Sequence, residues 1–266
     1  MYLKLNSKLL ILLLFSALLT ACSKDEQILQ NEPPAIPLDT INCNDGAEIS
    51  VDELTIQNNV WGKGNITNYQ QCIRVTKNNS INTFEWMWSW PNSGNNVKAY
   101  PEIIYGLKPF GNTTTTSRLP VKLTEMNSIN VSFDSIKTDM TGIGNLAFDI
   151  WITDSPSPVQ NNIKHEIMIW LKNQGQAPAG VFIARIIIAG VEYDFYSGDV
   201  GSWDYFAFLK VTQDDLISIP VGDFINYLKN HSYILPEEYL SSIEFGNEVI
   251  QGSGKTSVFN YRVAIQ

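Results

Sequence analysis

The sequence predicts an all-β protein, a two-sheet antiparallel sandwich of jelly-roll type with one short helix. From about residue 43 onward, runs of alternating apolar and polar residues recur, and Asn, Gly, Pro or Ser clusters bound each run. Charged residues make up only 17% of the 266 positions, which suits strands and turns better than surface helices. With 44% hydrophobic and 11% aromatic residues, the chain can bury a sizeable core as a single domain.

Residues 1–21 are predicted to be a signal peptide rather than a membrane-spanning helix. Two lysines precede an apolar run at 9–19, which is too short to cross ~30 Å of hydrocarbon. The sequence Leu-Leu-Thr-Ala-Cys at 18–22 resembles the lipobox of bacterial lipoproteins. That resemblance implies cleavage before Cys22 and acylation of this cysteine. Ordinary secretion, with Cys22 discarded or free, is the alternative.

Residues 22–42 are predicted to form a lipid-anchored linker ahead of a domain at 43–266. Ser-Lys-Asp-Glu at 23–26 resembles the signal that directs lipoproteins to the outer face of the outer membrane, although a solvated tether with incidental charge is the alternative. Asn-Glu-Pro-Pro at 31–34 indicates a stiff, polar segment. We therefore expect a protein held to the outer membrane by lipid alone and exposed at the cell surface.

The elements of the domain follow from periodicity. Residues 220–229 place Val221, Phe224, Ile225 and Leu228 at helical spacing, and Pro220 suits a first turn. The other periodic runs have the period of two that is typical of strands. The predicted strands are 53–60, 70–76, 84–90, 127–135, 146–153, 165–171, 181–195, 205–211, 239–245 and 258–265.

Charge and cysteine content exclude several classes of function. The net charge of −9 argues against a groove that binds nucleic acid. Two histidines and three cysteines leave few ligands, so a His-rich metal site or a zinc ribbon is not expected. Cys43 and Cys72 are predicted to form a disulfide worth ~3 kcal/mol in an exported protein. Two buried free thiols are the alternative.

Three acidic residues are candidates for chemistry. Alternation along 165–170 places Glu166 on one face with Met168 and Trp170, which suits the floor of a sugar-binding site. His165 then belongs to the opposite face, as a structural histidine. Asp149 projects together with Trp151, and Glu248 lies in a predicted glycine-rich turn near the C-terminus. By composition alone, each acid is more often an exposed strand residue than a catalyst.

Four motifs stand out along the chain. They are Asn58-Asn59-Val60-Trp61-Gly62, Asn95-Asn96-Val97-Lys98-Ala99-Tyr100, Glu166-Ile167-Met168-Ile169-Trp170 and Phe245-Gly246-Asn247-Glu248. In their order and spacing these motifs resemble glycoside hydrolase family 12. The resemblance covers nearly everything from Cys43 to Gln266 and implies a jelly-roll with a long concave substrate cleft. It also implies retaining hydrolysis of β-1,4-glucans or xyloglucan without metal or cofactor.

The resemblance also implies roles for these residues. Glu166 resembles the nucleophile, Glu248 the general acid/base, and Asp149 the acid that hydrogen-bonds the nucleophile. The substrate-binding residues are then Asn59 and Trp61 on the non-reducing side, Met168 and Trp170 at the floor, and Tyr100. Trp88 is added as a stacking surface, because Trp86, Trp88 and Trp90 share one face of their strand; packing in the core is the alternative.

We therefore expect a monomeric endo-acting β-glucanase, with a β-glucan as its partner. Which β-glucan it prefers stays open. A non-catalytic glycan-binding surface lipoprotein on the same sandwich is the alternative, and a purely structural surface protein is a third class.

Overall fold

The structure, a computed structural model, describes residues 38–79, 81–111 and 114–266. The predicted signal peptide, Cys22 and most of the predicted linker lie outside these residues. The helical segments are α1 (Val221–Asn230) and a 3-10 turn (Gln160–Asn162). The strands are, in order, β1 (Leu38–Asn42), β2 (Glu48–Val51), β3 (Leu54–Gln57), β4 (Gln70–Asn78), β5 (Ile81–Trp90), β6 (Glu102–Gly106), β7 (Val121–Lys122), β8 (Ile129–Ser132), β9 (Ser135–Met140), β10 (Ile143–Thr153), β11 (Ile163–Gln174), β12 (Val181–Ile188), β13 (Val191–Val200), β14 (Trp203–Lys210), β15 (Ser218–Ile219), β16 (Tyr239–Gly246), β17 (Val249–Phe259) and β18 (Arg262–Ile265).

Two large sheets form a nearly closed, curved sandwich, which confirms the predicted fold class. The larger sheet has the order β2-β3-β6-β16-β10-β11-β14-β13-β12, with β7 also paired to β16. The smaller sheet has the order β1-β4-β5-β17-β9. A short pairing of β17 with β10 joins the two sheets, and β15-β8-β18 form a third. Pairing is antiparallel except between β11 and β14, which are parallel.

The core lies between the two large sheets. Alternation in β11 directs Ile167 and Ile169 into it, as the sequence predicts, and both are fully buried. Across the sandwich, Trp86 of β5 contacts Phe245 of β16 edge to face, with 6.4 Å between ring centroids. Helix α1 packs on the same core through its predicted apolar face, since Phe224 contacts Tyr193 and Phe208. In the part of the chain that the structure describes, no helix has the length and apolar character needed to cross a membrane.

The structure differs from the sequence prediction in several segments, among them β6 and β9, which were not predicted as strands. The run 181–195 is a hairpin of β12 and β13, because Ala189 (φ 49°) and Gly190 (φ 81°) form a two-residue turn of left-handed backbone. The glycines at 252 and 254, predicted to lie in a turn, are inside β17. The sheet also begins earlier than residue 43, because β1 pairs with β4 within the segment predicted as a linker.

Near this beginning, Cys43 and Cys72 form the predicted disulfide. Cys43 directly follows β1 and Cys72 belongs to β4, so the covalent bond joins two chain segments that are already paired as strands.

Candidate active site

A cleft of about 1290 Å³ lies on the face of the larger sheet that is opposite the core. Its central strands are β16, β10, β11 and β14, whose alternate residues project into it. The structure therefore brings together eight of the nine residues predicted for catalysis and substrate binding. They are Asn59, Trp61, Tyr100, Asp149, Glu166, Met168, Trp170 and Glu248.

Trp88 is the ninth residue, and its predicted role in substrate binding is wrong. Trp88 belongs to β5 of the smaller sheet, whose inner face is core, and only 4% of it is exposed. Its ring packs against Gly254 of β17 so closely that a Cβ added to Gly254 would lie 2.5 Å from it. Trp86 and Trp90 are buried on the same face, so the core-packing alternative is correct for all three.

Glu166 projects from β11 into the cleft, and the indole Nε1 of Trp203 donates a hydrogen bond to its Oε2 at 2.8 Å. Burial raises the pKa of Glu166 to about 8, while the hydrogen bond from Trp203 lowers it and the charge of Glu248 raises it further. The Trp203 contact therefore favours the ionised carboxylate in a site that otherwise disfavours charge.

Glu248 lies in the two-residue connection between β16 and β17 and is held by two side-chain amides. Asn145 of β10 and Gln176, which follows β11, both donate hydrogen bonds to its Oε2, the latter at 2.7 Å. Asn145 also accepts a hydrogen bond from the backbone N–H of Glu248 at 3.1 Å, which fixes the connection. Burial raises the pKa of Glu248, and the two amide donors oppose that shift.

Asp149 enters the cleft from β10, but it makes no hydrogen bond to Glu166. Its Oδ1 is buried and has no hydrogen-bond partner among the described residues. Burial, followed by the nearby charges of Glu166 and Glu244, raises the pKa of Asp149 well above its usual range. The predicted hydrogen bond between Asp149 and the nucleophile is therefore absent from the structure, and Glu166 accepts its hydrogen bond from Trp203 instead.

The floor beside Glu166 is a small apolar cluster that includes the predicted Met168 and Trp170. Its members are ordered by sulfur contacts, because Trp170 Nε1 and Tyr205 Oη each donate to the Met168 sulfur at 3.3 Å. Both rings are almost completely buried, so the floor is rigidly packed beneath the cleft.

At one end of the cleft, Trp61 exposes 68% of its surface, an unusual fraction for an indole ring. Neighbouring Asn59 is fixed by a hydrogen bond from its amide to Glu102 Oε1 at 2.9 Å. Tyr100 is buried, and its hydroxyl donates to the carbonyl of Ala147 at 3.0 Å. The exposed indole and the fixed amide are suited to contact a sugar ring.

His165 lies on the core side of β11, as predicted, facing away from Glu166. Its imidazole nitrogens lie 3.0 Å from the carboxylates of Asp204 and Glu238. In the ranges 38–79, 81–111 and 114–266, no three His, Cys, Asp or Glu side chains are grouped to hold a metal ion.

Sequence reasoning missed two groups of residues in the cleft. Phe110, Trp151 and Trp203 contact one another edge to face, with centroids 4.9–5.9 Å apart. Alternation places Trp203 on the same face of β14 as Tyr205, but only the pairing of β14 with β11 shows that this face is the cleft. The other group consists of Glu102 on β6, Lys108 in the segment after it, and Glu244 on β16. Lys108 and Glu244 line the cleft, and Glu102 pairs with Lys108.

Residues 52–266 match the family model for glycosyl hydrolase family 12. The chain belongs to this family. Family 12 enzymes hydrolyse β-1,4-glucans with retention of configuration, and the chain is accordingly a glycoside hydrolase.

Individual members of family 12 agree with this assignment. Endoglucanase S of Pectobacterium parmentieri is 34% identical over 218 residues, which cover 79% of this chain and 80% of that protein. The xyloglucan-specific endo-β-1,4-glucanase A of Emericella nidulans is 28% identical over 230 residues, or 84% and 90% of the two chains. The family 12 xyloglucanase from Bacillus licheniformis, solved with a ligand, superposes with a TM-score of 0.78 at 30% identity over 85% of this chain and 100% of that one.

Proposed function

We propose that this family 12 chain cleaves internal β-1,4-glucosidic bonds with Glu166 as the nucleophile and Glu248 as the general acid and base. The observation that carries the proposal is the arrangement of the two carboxyls. Both line one cleft, and each has Oε2 held by N–H donors while Oε1 accepts no hydrogen bond from the described residues. Retaining hydrolysis needs two such carboxyls on either side of the glycosidic bond.

In the first step, Glu166 attacks the anomeric carbon with its free oxygen. A bond forms between that oxygen and the anomeric carbon as the bond to the glycosidic oxygen breaks. The departing sugar oxygen takes the proton from Glu248. This step leaves a glycosyl ester on Glu166 and a carboxylate on Glu248.

In the second step, the Glu248 carboxylate takes a proton from water. The water oxygen bonds to the anomeric carbon, and Glu166 leaves as a carboxylate. The carbon has been inverted twice, so the product keeps the β-configuration, and both carboxyls return to their starting protonation states.

The competent enzyme therefore holds one proton across the pair, on Glu248. Burial raises the pKa of both carboxyls, and the two charges repel, so the pair releases its protons in two separated steps. In the singly protonated form, the indole N–H of Trp203 stabilises the charge on Glu166. The Oε1 of Glu248 then carries the proton, because its Oε2 accepts hydrogen bonds from Asn145 and Gln176.

Asp149 is proposed to support Glu166 as a neutral acid. Burial and the charge of Glu166 raise the pKa of Asp149, which favours the neutral form and so limits negative charge beside the nucleophile. Substitution of Asp149 by Asn should therefore lower activity by ~10–100-fold, which is a smaller loss than substitution of Glu166 should cause.

We place substrate binding along the cleft from Trp61 to the floor. Trp61 and Asn59 are proposed to bind sugars on the non-reducing side, with the indole face stacked on a pyranose ring. Met168, Trp170 and Tyr100 are proposed to shape the site around the reacting sugar. The backbone recognised is a β-1,4-glucan, and products from barley glucan, carboxymethyl cellulose and xyloglucan, compared side by side, would define the branches it accepts.

Azide rescue tests the two roles. Glu166→Ala should lose the covalent intermediate, and azide should restore turnover from the opposite side of the sugar to give an α-glycosyl azide. Glu248→Ala should retain the first step on substrates with good leaving groups, and azide should then give the β-product. Swapped azide products, or an α-anomer appearing first in proton NMR of fresh wild-type hydrolysate, would overturn the assignment.

The alternative, a glycan-binding protein without activity, is not favoured by the comparisons. It would retain affinity for β-glucans but release no reducing ends from any of the three polymers. A protein with a structural role alone would show no affinity for glycans.

We further propose that the enzyme is monomeric and is anchored to the outer membrane through lipid on Cys22, exposed at the cell surface. The support for the anchor is the sequence at 18–26, which lies outside the described residues. Mass spectrometry of the N-terminal peptide should show acylated Cys22, and Cys22→Ala should move the protein from the membrane fraction to the soluble fraction. An unmodified N-terminus after residue 21 would contradict the anchor.

A further inference from the structure

Lys108 is the only Lys or Arg among the described residues that line the cleft. Only 6% of its side chain is exposed. Its Nζ donates hydrogen bonds to Glu102 Oε1 and to Gln57 Oε1, the latter at 3.2 Å, and lies 3.3 Å from Glu244 Oε2. These three acceptors match the three ammonium protons, so Lys108 is committed to protein partners and is not free to bind the substrate.

The carboxyl partners of Lys108 belong to a row of four acidic side chains, one on each of four adjacent strands, that ends at the nucleophile. We call it the acidic row. Glu102 is on β6, Glu244 on β16, Asp149 on β10 and Glu166 on β11. Glu244 lies directly opposite Asp149 in the strand register, so the two side chains project from the same face of the sheet. A charge at one end of the acidic row therefore shifts the pKa of the carboxyl at the other end, because the sheet surface between them is poorly solvated.

Hydrogen bonds and ion pairs connect the acids at the Lys108 end of the acidic row. Glu244 Oε1 accepts from the Ser242 hydroxyl at 3.0 Å, and its Oε2 faces Lys108. Glu102 Oε1 accepts from Asn59 and Lys108, while its buried Oε2 has no hydrogen-bond partner among the described residues. Lys108 is therefore shared by two carboxyls and offsets negative charge in this part of the cleft.

We propose that Lys108 is a positioning residue that keeps the nucleophile ionised by offsetting the negative charge of Glu244, which lies two strands away from Glu166. The proposal rests on the assignment of Glu166 as nucleophile. Without Lys108, the Glu244 carboxylate would be uncompensated two strands from Glu166. The pKa of Glu166 would then rise. Glu166 would become protonated, and therefore unreactive, at a higher pH than in the wild type.

Other titratable groups face Glu166 and also influence its pKa. Burial and the negative charges of the cleft raise the pKa of its two tyrosines, which stay neutral. His165 and its two carboxylate partners lie on the opposite face of the sheet. The groups on the cleft side are Asp149 from β10, Glu244 from β16, Glu248 from the β16–β17 connection, Tyr205 from β14 and Tyr100 before β6.

The test is the pH profile of kcat/KM for three variants, because its acid limb reports protonation of the nucleophile. Lys108→Met should move the acid limb up by about one pH unit, as expected for one charge at roughly 10 Å across two strand spacings. Glu244→Gln should move it down by a similar amount. Lys108→Met/Glu244→Gln should return it to the wild-type position.

Lys210→Met is the matched control. Lys210 is as buried as Lys108 and also pairs with a carboxylate, Asp214, but it does not line the cleft. Its loss should lower the melting temperature without moving the acid limb. A role of Lys108 in folding alone predicts the same behaviour for Lys108→Met, which would overturn the proposal.

The remaining outcomes are also decisive. If Lys108→Met does not fold, an acid limb that moves down in Glu244→Gln supports the proposal, and an unmoved limb overturns it. Wild-type product stereochemistry and trapping of the glycosyl ester on Glu166 are measured alongside. If these succeed while the limbs stay in place, this proposal fails and the assignment of Glu166 stands.

Discussion

The indole nitrogen of Trp203 lies 2.8 Å from Oε2 of Glu166 and donates a hydrogen bond to it. The two residues belong to β14 and β11, the parallel pair in the larger sheet. A hydrogen bond to a charged group is worth about 1.5–3 kcal/mol, so this contact offsets part of the cost of a buried carboxylate.

Trp203→Phe should keep the ring contacts with Phe110 and Trp151 but remove the N–H donor. We expect kcat/KM to fall by about 10-fold and its acid limb to move to higher pH, because the pKa of Glu166 rises when a donor to its charged form is lost. Trp151→Phe is the control, since the Nε1 of Trp151 has no partner among the described residues. An equal displacement of the acid limb in both variants would contradict the assigned contact.

Gln176→Leu should affect the other limb of the same profile. Gln176 donates to Glu248 Oε2 at 2.7 Å and so stabilises the carboxylate form. Its loss should raise the pKa of Glu248, and the alkaline limb, which reports loss of the acid proton, should move to higher pH by up to about one unit. Profiles on a natural glucan, where leaving-group protonation is needed, provide the measurement. A downward shift would show that Gln176 does not act on the charged form.

Trp61→Ala should weaken substrate binding without destabilising the fold. The indole is 68% exposed and so contributes little buried area. We expect KM for long glucans to rise by about 5–30-fold, as for a lost aromatic contact of 1–2 kcal/mol, with an unchanged melting temperature. Short oligosaccharides that do not reach Trp61 should show wild-type KM. A lower melting temperature would show instead that Trp61 is structural.

Glu166→Gln should change the pH dependence of stability. Because burial raises the pKa values of both Glu166 and Glu248, and their charges repel, the folded pair retains protons at pH values where the carboxyls of the unfolded chain have lost theirs. The wild-type free energy of unfolding should therefore fall as pH rises from 4.5 to 8. The glutamine variant should match wild type near pH 4.5 and exceed it by about 1–3 kcal/mol at pH 8. Parallel stability curves from urea denaturation would falsify this expectation.

Much of this architecture is accessible from sequence, because local periodicity encodes which face of a strand is buried. Alternation around Glu166 separates Met168 and Trp170 from Ile167 and Ile169, and the structure places the two sets in the cleft and the core. The helix at Val221–Asn230 follows in the same way from its apolar face.

Alternation does not show what a face packs against, and the errors follow from that. Trp88 shares a face with two other tryptophans, a pattern that a sugar platform and a core both produce. Only the pairing of β5 with β17 in the smaller sheet shows that this face is core. Trp203 and Lys108 were missed for a related reason. They reach Glu166 and Glu244 through strand pairings between distant parts of the chain, which no local pattern contains.

The division of β10, β11 and β14 into one cleft face and one core face has a practical consequence for engineering. In these strands, every second residue contacts substrate space while its neighbours hold the sandwich together. A mutant library that varies every second residue of these strands, at positions such as Trp151, Met168 and Tyr205, would change specificity while leaving the packing between the sheets intact. If consecutive positions were varied instead, half of the changes would fall in the core, and most variants would therefore be unfolded.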